Sequence, residues 1–137
     1  MDTKTIRYRN RMTKKIHIPR EYESETIFRE RYGRDGLDSL SISISAEYIW
    51  YRPKKIDICH NDCSDFCMEN YGDYDIERTI HIREEAALKI ASKLHAKDAA
   101  TLVRNFADRF RPYGYDAMKK ITDWLELKGI EYSVTVY

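Results

Sequence analysis

Glycine and proline are scarce in this chain. Five glycines and three prolines in 137 residues leave little room for a flexible catalytic loop, and no glycine-rich run of the kind that cradles phosphates is present. Cysteine is equally sparse. The three thiols are odd in number and confined to Cys59, Cys63 and Cys67, which argues against the disulfide framework of a small secreted domain. No apolar stretch approaches the roughly 20 residues that a membrane-spanning helix needs. Met1 to Arg20 is basic and lacks the apolar centre of a secretory signal. These absences lead us to expect a reducing, cytoplasmic setting, in the protein's own cell or in an infected host, and no membrane partner.

Catalytic signatures are missing too. There is no Gly-x-Ser-x-Gly elbow and no His-Glu-x-x-His pair, and His17, His60, His81 and His95 stand apart with no partner visible in the sequence. No catalytic residue, metal ligand set or cofactor is therefore assigned, and an enzyme ranks below a binding protein among the expectations.

What remains has the composition of one ordinary domain spanning 1–137. The hydrophobic fraction of 42% is enough for a core, while the charged fraction of 34% exceeds the usual quarter and implies a densely charged exterior. The net charge is only +1, but it is unevenly spread. Met1 to Arg20 carries seven basic residues against Asp2 alone, and Asp57 to Glu77 carries seven acidic residues with no lysine or arginine. Two such poles can satisfy each other or recruit partners.

Thr5 to Arg9 and Lys14 to Ile18 alternate as half-buried strands do. Pro19 then opens what reads as a weak helix from Arg20 to Tyr32, with Glu25 four residues before Arg29. Ser39 to Tyr51 is the firmest strand: Leu40, Ile42, Ile44 and Ala46 face one way and Ser41, Ser43 and Ser45 the other. Arg52 to Lys55 reads as a turn, with a short return strand from Lys55 to Ile58 completing a hairpin. Asn61 to Tyr71 is expected to form a short acidic helix stopped at Gly72, and Asp75 to Ile82 a strand.

The last third predicts three helices: Glu84 to Leu94, one capped by Asp98 with Leu102, Val103, Phe106 and Phe110 inward, and one capped by Asp116 with Met118, Ile121, Trp124 and Leu125 inward. Gly129 stops the last of them. Ile130 to Tyr137 alternates as a closing strand, with Tyr132, Val134 and Val136 expected to pack on the helices. Early strands followed by consecutive helices do not make a doubly wound pattern. They predict an α+β fold, a mostly antiparallel sheet with the C-terminal helices packed on one face.

Three candidate sites follow. In the leading expectation the protein is a non-enzymatic binding or inhibitory module that recognises a protein partner through Asp62, Asp65, Glu69, Asp73 and Asp75, carboxylates that can complement a basic groove. The alternative is nucleic-acid binding through Arg7, Tyr8, Arg9, Arg11, Lys14 and Lys15, cations on a phosphate backbone with one aromatic to stack on a base. The third is a metal or thiol centre at Cys59 to Cys67. Spacings of four do not match the paired-cysteine knuckle of zinc sites, and on a helix the three thiols would share one side with Phe66 as small buried hydrophobes.

Overall fold

The alternation that marks the serine-rich strand organises the whole sheet. The computed structural model describes residues 19–32, 38–63 and 76–137. Five strands run in the order β1-β2-β3-β4-β5, each antiparallel to the next: β1 (Arg20–Tyr32), β2 (Asp38–Ile49), β3 (Arg52–Cys63), β4 (Ile76–Arg83) and β5 (Ser133–Val136). Three helices, α1 (Glu84–Lys93), α2 (Ala99–Phe110) and α3 (Ala117–Leu127), lie between β4 and β5 in sequence. The fold is thus α+β with a five-stranded antiparallel sheet and its helices on one face.

Leu40, Ile42, Ile44, Ala46 and Tyr48 of β2, Ile56 and Ile58 of β3, and Ile80 and Ile82 of β4 form the buried face. Over it α2 covers β1 and β2, α1 lies against β3, and α3 packs on α2 through an aromatic cluster. Asp98 caps α2 as the sequence implies, its carboxylate accepting the Thr101 N–H at 2.7 Å. Gly129, at φ 66°, stops α3, and the Ile130 N–H closes back on the Leu125 carbonyl at 2.9 Å.

Three expectations are corrected. Arg20 to Tyr32 is a strand and not a helix. Tyr22, Ile27, Phe28 and Tyr32 are not spaced for a helical stripe, and a bulge between Thr26 and Phe28 hides the period of two. Tertiary ties then fix the extended form: the Ala99 N–H donates to Glu21, and Arg111 donates to Glu25 and to the Thr26 carbonyl. The proposed turn at Arg52 to Lys55 is the start of β3, with Pro53 buried opposite Tyr48. Finally, Val134 and Val136 do not pack on the helices. They are 44% and 60% exposed because β5 lies at the sheet edge, past the ground α1 and α2 cover. Only Ile130, buried, and Tyr132, half-buried, reach the core from this segment. The strands expected at 5–9 and 14–18 lie outside the described residues.

Candidate functional site

Of the residues singled out from the acidic and basic poles, only Asp62 falls among the described residues. Asp62 lies near the end of β3, half-buried, on a strand where a helix was expected. Asp65, Glu69, Asp73 and Asp75 lie outside the described residues, as do Arg7, Tyr8, Arg9, Arg11, Lys14 and Lys15. Cys59 and Cys63 belong to β3, so the expected helical stripe of thiols does not form there; Cys67 lies outside the described residues. The Cys59 thiol donates to a Glu77 carboxylate oxygen at 3.2 Å. Burial, then this bond and the Glu77 charge, push its pKa up, which is the opposite of an activated thiol. Among the described residues no three His, Cys, Asp and Glu side chains converge as metal ligands would. We therefore expect Cys59 to alkylate slowly at pH 8, and Glu77→Gln to speed it by about three- to tenfold. Peptide-resolved mass spectrometry of iodoacetamide labelling checks this; an unchanged rate refutes it.

One arrangement missed in the sequence sits on the helix-free face of the sheet. Asp57 Oδ1 lies 3.0 Å from His81 Nδ1, and His81 Nε2 lies 2.9 Å from the Thr135 hydroxyl. Arg83 donates to the same Asp57 oxygen at 3.0 Å. The order carboxylate, imidazole, hydroxyl is that of a nucleophile relay. The Glu77–Tyr137 pair exchanges both backbone bonds, which in an antiparallel ladder turns the Thr135 N–H toward Thr79 as well. The three side chains clasp β3, β4 and β5. His81 and Asp57 are 24 residues apart, so only the β3–β4 register reveals them.

The strongest local anomaly lies at the β2–β3 turn. Ile49 pairs with Arg52, leaving a two-residue loop of Trp50 and Tyr51, at φ 55° and 64°. Such turns call for Asn-Gly, because a Cβ is strained in the left-handed region and bulky residues almost never sit there. Both rings are nevertheless held outward, 56% and 67% exposed, while the Trp50 N–H is anchored on the Pro19 carbonyl at 2.9 Å.

Beside this turn a cleft of about 680 Å³ opens between β2–β3 and the end of α1, lined by Tyr48, Tyr51, Arg52, Pro53, Leu88, Ala91, Ser92, His95, Ala96 and Lys97. Its volume is that of a small-ligand or side-chain pocket. The far wall holds another left-handed residue, His95 at φ 53°, which ends α1 where glycine is usual. At the floor the Tyr48 hydroxyl donates to the Ala96 carbonyl at 2.9 Å. Burial, then the negative charges of Asp98 and Glu21, push that phenol up to about 12, so it stays protonated at any physiological pH.

No protein-family model, curated protein or solved structure matches this chain. The functional reading therefore rests on the turn and its cleft. No sequence motif marks them, although Trp50, Tyr51 and Arg52 are contiguous and belong to the residue types most often found at the energetic centre of interfaces.

Proposed function

We propose that this is a non-enzymatic binding or inhibitory module that recognises a protein partner, with the Trp50–Tyr51–Arg52 turn and the adjoining cleft as its contact surface. The observation that carries this reading is the turn itself. Two aromatic residues held outward at positive φ cost about 1–2 kcal/mol each, and such strain persists where surroundings enforce it and where the displayed group has a use. Large, stiff aromatic side chains beside a cleft supply interface area at little entropic cost. The acidic stretch of Asp62, Asp65, Glu69, Asp73 and Asp75 remains a second candidate contact. Asp62, near the end of β3 away from this turn, would serve a separate surface.

The test is a photocrosslinker, p-benzoylphenylalanine, placed at Tyr51 and, as a control, at Tyr113, which is also exposed. In extracts of the producing cell, position 51 should give a discrete protein adduct that position 113 does not. Alanine at Trp50 and Tyr51 should weaken capture of that protein by about 30-fold or more, as expected for a hot-spot pair. Equal adducts at both positions, or capture unchanged by the alanines, would overturn the reading.

A further inference from the structure

We infer that the cleft takes a peptide segment bearing carboxylates next to a large apolar side chain; this rests on the protein-binding reading above. Its charged side chains are both cationic, Arg52 from the turn and Lys97 from the link to α2, with the His95 imidazole beside them. Among the described residues no carboxylate lines it. The two carboxylates whose charge acts on Tyr48 from behind the floor, Glu21 and Asp98, are already engaged at the start of α2, where they accept the N–H groups of Ala99 and Thr101 at 2.9 and 2.7 Å.

The floor recognises shape. The Tyr48 hydroxyl is committed to Ala96, and beside it the lining is Pro53, Ala91, Ala96 and the side of Leu88, which is 40% exposed, with the Ser92 hydroxyl left to a ligand's polar group. An apolar side chain seated there would cover Leu88, and the Arg52 and Lys97 heads above would meet acidic neighbours. The rim favours carboxylate over phosphate. It offers a single arginine and so lacks the clustered guanidinium forks that favour a phosphate; the carbonyl dipoles at the C-terminal end of α1 oppose any anion, so the attraction comes from Arg52 and Lys97.

Full-length protein is titrated into a fluorescein-labelled peptide, acetyl-Gly-Glu-Leu-Glu-Phe-Glu-Gly-amide, and followed by anisotropy at low and at physiological salt. Three twins are run beside it: one with glutamine for glutamate, one with lysine for glutamate, and one with alanine for leucine and phenylalanine. We expect saturable binding that weakens with salt, and roughly tenfold or greater loss with each twin and with Arg52→Glu/Lys97→Glu. Thermal melts confirm that the variant is folded. If the glutamine twin binds as tightly as the parent and Trp50→Ala abolishes both, the docking site stands and the preference for acid is overturned. If no peptide binds, or the lysine twin binds best, or the charge reversal changes nothing, the proposal fails. An excess of inorganic phosphate or single-stranded oligonucleotide that displaces the peptide more readily than free glutamate peptide would likewise overturn it in favour of a phosphate ligand.

Discussion

Replacing Trp50 and Tyr51 together by Asn and Gly should make the protein more stable and leave it unable to bind. Both positions sit at positive φ in a two-residue turn. Asn-Gly adopts that conformation at little cost, whereas each aromatic residue is strained by about 1–2 kcal/mol. The extra freedom that glycine gives the unfolded chain offsets part of the gain. A net stabilisation of about 1–3 kcal/mol should be visible in urea unfolding as a higher midpoint at unchanged slope. Capture of the partner should fall at least as far as in the alanine variants. Most surface substitutions change stability by less than about 0.5 kcal/mol, so opposite movements of stability and binding would identify the turn as a functional strain. A variant that is less stable and binds normally would show that the aromatics serve the fold.

The largest loss is expected in the core, at Phe106. Its ring is fully buried, 4.8 Å from that of Phe110 and edge-on to Trp124 at 6.0 Å. It therefore joins the α2 face that covers β1 and β2 to the indole that seats α3 on α2. Phe106→Ala should cost about 3–5 kcal/mol, the transfer term plus a cavity the neighbours cannot fill. That is a large share of the 5–15 kcal/mol a domain normally has. Urea unfolding measures the loss, and the near-ultraviolet circular dichroism of Trp124 should weaken before global unfolding. A cost under about 1 kcal/mol would mean that α3 is not held through this cluster.

Legibility in the sequence followed the range of the interactions. β2, the helical apolar faces, the Asp98 cap and the Gly129 stop are set by residues within a few positions of one another, and they could be read directly. β1 could not, because it is held extended by Glu21 on the Ala99 N–H and by Arg111 on the Thr26 carbonyl, partners 78 and 85 residues away. The turn was displaced by its own chemistry. Arg52-Pro53-Lys54-Lys55 has turn-forming residues, and Trp50-Tyr51 has none. The candidate site was invisible for the same reason, since its signature is a backbone angle that these residue types ordinarily avoid. The acidic pole was plain in composition, yet only Asp62 of the five named carboxylates falls among the described residues.

The arrangement of α2 over β1 sets an order of events during synthesis. The strands from β1 to β4 each pair with the next strand made, but the inner side of β1 is covered only when α2 exists. Phe110 follows Ile49, the last residue of the first hairpin, by 61 residues, about 3–12 s of translation at ordinary rates. For that interval the first hairpin is complete and half uncovered on the ribosome. Its outer strand meets the wait with Arg20, Glu21, Glu23, Glu25, Arg29, Glu30 and Arg31, charges of both signs that discourage a neighbouring nascent chain from adding a strand of its own.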